Sequence, residues 1–186
     1  MSILRNNDQQ FSLLAKSIHW LSALLVVFLF ALGLWMTDLD YYSDWYQKGP
    51  NLHIGIGVCL AVVTIFRLIY RATAPFPKPV PGTTPAVALA GKAAHLGLYV
   101  LLIILFISGY LIVTAEGEAL DVFGWFTIPS LFTSENNLQD TAGEIHEWLA
   151  FTLIGLASLH AAAALWHHFK LHDATLMRMI TRAKQQ

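Results

Sequence analysis

Four uninterrupted apolar stretches constrain this chain more than anything else in it. They run from Ile18 to Met36, from about Asn51 to Phe66, from Ala93 to Ala115, and from Trp148 to Phe169. A helix rises about 1.5 Å per residue and a bilayer's hydrocarbon core is about 30 Å thick, so about 20 apolar residues cross it. Inside hydrocarbon every backbone N–H and C=O must find its partner within the protein, and a helix satisfies them all within one segment. The second stretch is short. It needs Arg67 to snorkel toward the surface and the Gly49–Pro50 end to complete it. The expected fold is all-α: an integral membrane four-helix bundle, up-down-up-down, with spans at about 12–37, 51–71, 87–115 and 142–169 in one transmembrane domain, 1–186.

Composition agrees. Hydrophobic residues make up 56% of the chain and charged residues 12%, with a mean hydropathy of +0.55, where a soluble domain is about a quarter charged. No Gly-rich phosphate loop and no basic stripe for nucleic acid is present. The single cysteine, Cys59, excludes an intramolecular disulfide and a cysteine-based zinc or iron–sulfur site. The first stretch is longer than the core of a secretion signal, and cleavage after Gly33 would discard His19. It is expected to stay as a span.

Charge sets the expected direction. With four spans, segments 1–17, 67–92 and 170–186 share one side and hold ten of the eleven basic residues, Arg5, Lys16, Arg67, Arg71, Lys78, Lys92, Lys170, Arg178, Arg182 and Lys184. Segments 37–51 and 116–147 hold Lys48 alone, with ten of the twelve acids, among them Asp38, Asp40, Asp44, Glu116, Glu118, Asp121 and Glu135. Lysine and arginine stay cytoplasmic. Both termini are therefore expected in the cytoplasm. Trp20 and Trp166 fall near the inner boundary, and Trp35 and Trp148 near the outer one, depths that indole rings prefer. Residues Ala74 to Pro85 hold five of the seven prolines and read as an extended connection. Val122 to Pro129 is aromatic and apolar, and is expected to fold back onto the outer surface.

Five of the eight histidines, His19, His53, His95, His146 and His160, lie within or at the edges of the spans. Ionisable groups there are costly and mark function. His146 and His160 are 14 residues apart, nearly four turns on almost one face and about 21 Å along the axis. One metal cannot touch both, whereas two stacked cofactors can each take one. Depth selects the second ligands: His53 opens its span on the side of His146, and His19 opens its span on the side of His160. The expected pairs are His53 with His146 and His19 with His160, each holding a haem iron. Two neutral imidazoles leave no open position on the iron, which favours electron transfer over oxygen binding. Gly55, Gly57, Gly143, Ala150, Ala157, Ala161 and Ala164 surround these histidines and leave room for a flat macrocycle or for close helix packing. His95 is a candidate substitute for His19, or a contact for a haem propionate or a quinone. His167, seven residues after His160, is a candidate for a cofactor edge or a quinone pocket. Together with Arg71 these two would form a quinone or propionate site at one depth.

Several motifs carry a family resemblance. They are Ser17-Ile18-His19-Trp20, Leu52-His53-Ile54-Gly55, Ala94-His95-Leu96-Gly97-Leu98-Tyr99, Ile145-His146-Glu147 and Leu159-His160-Ala161-Ala162-Ala163. Trp166-His167-His168-Phe169, Asp173-Ala174-Thr175-Leu176-Met177-Arg178-Met179 and Phe123-Gly124-Trp125-Phe126-Thr127-Ile128-Pro129 complete the set. Over nearly its whole length the chain resembles the prokaryotic cytochrome b561 family, four-helix membrane proteins with two b-type haems. The resemblance implies ligation by His19, His53, His146 and His160, exchange of electrons with ubiquinone or another quinone, and a place in the bacterial cytoplasmic membrane.

The expected function is di-haem electron transfer between the quinone pool and a periplasmic donor or acceptor, such as a redox protein. The resemblance also offers an oxidoreductase, superoxide:ubiquinone oxidoreductase. Superoxide is an anion, and the acidic outer face would steer it away. A third reading is a haem-bearing membrane anchor subunit of a larger redox complex. A histidine-lined metal transporter would call for carboxylates inside the spans, which these spans lack.

Overall fold

The computed structural model describes residues 5–134 and 137–181. Glu135, Arg182 and Lys184, counted in the charge argument above, lie outside them.

Four long helices occupy the four apolar stretches: α1 (Leu13–Thr37), α2 (Lys48–Thr73), α3 (Pro85–Thr114) and α4 (Leu138–Phe169). The shortest has 25 residues, about 38 Å of helix, and all four are long and apolar enough to cross a membrane. Their starts have local causes. Ser12 Oγ accepts from the Ala15 N–H at 3.1 Å and caps α1. Pro50 lies in the first turn of α2, where its missing N–H is not needed, so the helix begins before the apolar run does. Thr84 followed by Pro85 opens α3 in the same way. Asp140 sits in the first turn of α4, where the helix dipole favours a negative charge.

The helices turn large apolar side chains outward. Leu24 is 67% exposed, Val62 62%, Leu96 65% and Leu159 68%. In water such a surface would exceed what a monomer tolerates; in lipid it is solvated. The mostly helical bundle of the sequence reading is therefore observed, with one addition. Residues 120–128 form a small antiparallel hairpin, β1 (Leu120–Val122) and β2 (Phe126–Ile128), paired Leu120↔Ile128 and Val122↔Phe126. Phe123 and Gly124 make its turn at φ 57° and 72°. A short helix, α5 (Met177–Ile180), follows α4.

The chain divides into two compact units, and each long helix gives a segment to each. The first comprises Met1–Ala23, Val63–Leu98 and Gly155–Gln186. Here the proline-rich connection is tied to the N-terminal segment: Asn6 Nδ2 donates to the Pro75 carbonyl at 2.9 Å, and Lys78 pairs with Asp8 at 2.6 Å. The C-terminal segment joins them. Arg178 donates to the Lys78 carbonyl at 2.7 Å, Lys16 Nζ to the Thr181 carbonyl at 2.6 Å, and Trp20 Nε1 to the Met179 carbonyl at 3.0 Å. The segments expected to share one side by charge thus meet in one unit.

The second unit comprises Leu24–Val62 and Tyr99–Ile154. Its hairpin is held to α3, since Tyr110 donates to the Pro129 carbonyl at 2.8 Å and accepts from the Leu131 N–H at 3.0 Å. It is also seated on α2: Gly55 lies against the ring of Phe123, and a Cβ there would run into that ring.

Candidate functional site

In the second unit His53 of α2 and His146 of α4 face each other, with ring centres 6.2 Å apart and planes at 69°. Each ring rests on a glycine of a further helix. A Cβ on Gly33 of α1 would stand 3.4 Å from His53 Cε1, and one on Gly109 of α3 would stand 3.2 Å from His146 Cε1. On α3, Leu105, Ser108 and Gly109 fall at i, i+3 and i+4 and form one face. That face orients His146: Ser108 Oγ lies 3.0 Å from its Nδ1 and itself donates to the Leu105 carbonyl at 3.1 Å. A histidine that donates from Nδ1 keeps the lone pair of Nε2 for a metal. His53 Nδ1 is buried without a hydrogen-bond partner among the described residues, an exception of the kind that calls for a functional reason.

In the first unit the four long helices each contribute one basic group. His19 of α1 and His160 of α4 have ring centres 6.4 Å apart and planes at 71°. His95 of α3 lies 5.1 Å from His160, centre to centre. Arg67 of α2 donates from Nη2 to His19 Nδ1 at 2.7 Å.

A simple ruler sorts these contacts. A ligating imidazole nitrogen sits about 2.0 Å from a first-row metal, which puts the ring centre about 3 Å away and two opposed rings about 6 Å apart. The separations of 6.2 and 6.4 Å fit that ruler. The 5.1 Å of His95 is too short, so His95 stands beside His160 rather than opposite it. The residues present therefore fit a haem at each of the two expected pairs.

Some expectations change in detail. Arg67, expected to snorkel, donates to His19. Gly55, read as room for a macrocycle, makes room for Phe123; at i+2 it lies about 200° round the helix from His53. Gly57 and Gly143 meet nothing within 4 Å that a Cβ would touch. His167 Nδ1 pairs with Asp173 Oδ2 at 2.5 Å, both side chains largely buried. Burial pushes the Asp173 carboxyl up, but hydrogen bonds from His167 and from Thr175 outweigh it and hold the group below the ordinary carboxylate range. Arg71 lies over the Phe76 ring at 4.8 Å. The sequence reading missed Gly33, Ser108 and Gly109, and the only signal for the last two was a Ser-Gly step in an otherwise apolar run.

A bundle of apolar helices with paired imidazoles of this kind defines a class, the membrane proteins that carry electrons on haem. The comparisons narrow it. The family model for prokaryotic cytochrome b561 matches residues 10–182, and the chain belongs to that family. It is 43% identical to cytochrome b561 homolog 2 of Escherichia coli, over 96% of this chain and 95% of that one. It is 30% identical to the probable superoxide oxidase CybB of Yersinia pestis, over 95% and 98% of the two chains. Cytochrome b562 of Cereibacter sphaeroides is 29% identical over 88% and 90%. The chain is thus a multi-pass electron-transfer protein of the bacterial inner membrane.

Proposed function

We propose that the chain acts as one transmembrane cytochrome b domain holding two b haems, one between His19 and His160 and one between His53 and His146. It moves electrons between the quinone pool and a periplasmic donor or acceptor, with both termini in the cytoplasm. The observation that carries the reading is the similar spacing of the two imidazole pairs, 6.4 and 6.2 Å, which would leave room for one metal ion between the two rings of each pair.

Bound haem supplies a one-electron Fe(III)/Fe(II) couple. The chain supplies the rest. His146 is oriented by Ser108, and Gly33 and Gly109 leave the space that the His53 and His146 rings occupy. Two imidazoles at each haem would favour electron transfer over the binding of oxygen.

His95, His167 and Arg71 remain our candidates for quinone or propionate contacts. All three belong to the unit that contains His19 and His160, and the His167–Asp173 pair offers a place for a proton beside a quinone. The ten acids of segments 37–51 and 116–147 favour a basic partner protein or a neutral small molecule. A second reading, superoxide:ubiquinone oxidoreductase, is supported by the relative named as a probable superoxide oxidase.

The test is a pyridine haemochrome assay with a reduced-minus-oxidised spectrum on the detergent-purified protein. Two low-spin b haems per chain are expected. A protein without haem would overturn the reading.

A further inference from the structure

We propose that Ser108 is a positioning residue that makes His146 the stronger donor of the two axial ligands at its haem, and so lowers the midpoint potential of that haem. The proposal rests on the haem reading above and deepens it.

The hydroxyl lies between two groups. Ser108 Oγ is 3.0 Å from His146 Nδ1 and 3.1 Å from the Leu105 carbonyl. A hydroxyl has one proton to give and a carbonyl has none, so the Ser108 proton goes to Leu105. The oxygen is then left to accept, and the ring must donate from Nδ1. A neutral imidazole that donates from Nδ1 keeps its lone pair on Nε2, the form that binds iron. The contact is therefore compatible with ligation, and it also acts on the ligand. An acceptor on Nδ1–H polarises the ring and raises the basicity of Nε2, which favours Fe(III) over Fe(II). Ser108 is only 4% exposed, and a hydrogen bond away from water is electrostatically stronger. The two bonds run in series, from Nδ1–H to Oγ and from Oγ–H to the carbonyl, and bonds in series polarise one another.

The opposite ligand has no such group. His53 Nδ1 is buried without a hydrogen-bond partner among the described residues. Its backing nevertheless follows the same plan. Gly109 of α3 stands against His146, with Leu105 and Ser108 four and one residues before it. Gly33 of α1 stands against His53, with Leu29 and Leu32 four and one residues before it. All four of these flanking side chains are buried. Where α3 has the serine, α1 has a leucine, whose side chain offers no acceptor. The two ligands of one iron thus differ at Nδ1 by a single hydroxyl.

The experiment compares full-length, haem-loaded wild type with Ser108→Ala, Ser108→Cys and Ser108→Thr in detergent. The midpoint potential of each haem is resolved by redox titration. Redox-difference infrared spectra of protein carrying isotope-labelled histidine follow the ring modes of the ligands. In Ser108→Ala the potential of the His53–His146 haem should rise, by a change of up to about tenfold in its reduction equilibrium, which is about 59 mV for one electron. A ring mode of one ligand should shift with it. The His19–His160 haem should keep its potential and serves as the internal control. Ser108→Cys, whose sulfur is a weak acceptor, should fall between serine and alanine. Ser108→Thr keeps the hydroxyl and should stay near wild type. Frozen-solution electron paramagnetic resonance reads the angle between the ring planes in the same samples. A raised potential with a changed resonance spectrum and unmoved ring modes would mean that Ser108 only aligns the ring, and overturns the proposal. An unshifted potential in Ser108→Ala overturns it, and so does an equal rise at both haems or a threonine variant that behaves like alanine. If Ser108→Ala does not retain haem, Ser108→Cys against Ser108→Thr decides alone. Wild type that holds no haem at the His53–His146 pair contradicts the haem reading instead.

Discussion

Gly109 stands against the ring of His146, so close that a Cβ at this glycine would come within 3.2 Å of Cε1 and 3.4 Å of Nδ1. The same side chain is held by Ser108 at 3.0 Å, so it has little freedom to retreat. Gly109→Ala should displace the imidazole by a few tenths of an ångström and weaken haem retention at the His53–His146 pair by about tenfold, at an overpacking cost of about 1–3 kcal/mol. Gly33→Ala, whose Cβ would stand 3.4 Å from His53 Cε1, should be milder. Haem stoichiometry after detergent purification checks both.

Removing one ligand should remove one haem. His146→Ala is expected to halve the haem content and leave the His19–His160 haem with its own potential. His160→Ala is expected to do the converse. Potentiometric titration of both variants reads this directly, and two haems retained in either variant would break the pairing.

The two imidazole pairs are crossed at 69° and 71°. Crossed planes let each ring interact with a different iron d orbital of π symmetry, which leaves those two orbitals close in energy. Both ferric haems should therefore show strongly anisotropic low-spin spectra in frozen-solution electron paramagnetic resonance. The rhombic pattern typical of parallel imidazoles would contradict this geometry.

Phe123 and Gly55 form a size-matched pair, since any Cβ at position 55 meets the phenyl ring. Phe123 also sits at φ 57° in the hairpin turn, a conformation bulky residues adopt only when their surroundings enforce it. Gly55→Ala should destabilise the protein by about 1–3 kcal/mol. Adding Phe123→Ala should recover part of that loss, because the two sites share one contact. Thermal unfolding of the four members of the cycle measures the coupling.

The Asp173 carboxyl is held below its ordinary range by His167 and Thr175 against an opposing effect of burial. Between the folded and unfolded values the unfolded chain binds more protons, so stability rises with pH there. The stabilisation is present above the unfolded value of about 3.9 and is lost as pH falls through the folded one. Asp173→Asn should lower stability at neutral pH and flatten the acid limb. A melting series in detergent from neutral to acidic pH would show it; an unchanged acid limb would remove Asp173 from the explanation.

Much of this was legible in the residues themselves. Span length, charge asymmetry and the 14-residue spacing of His146 and His160 gave the helices and the pairs, because bilayer thickness and helical rise act on sequence distance alone. The backing of the rings was not legible. Gly33 belongs to α1 and supports a ligand of α2, and Gly109 belongs to α3 and supports a ligand of α4. Nothing in a single strand of text connects them.

The sequence by itself therefore determined which segments are helical, which face lipid, and which histidines share a depth, since each follows from local hydrophobicity and periodicity. Only the tertiary structure decided that Arg67 turns to His19, that Gly55 serves Phe123, and that His95 stands beside His160 rather than opposite it. Those are contacts between different helices. Their rotation about their own axes is set by packing, and packing is a property of the folded chain.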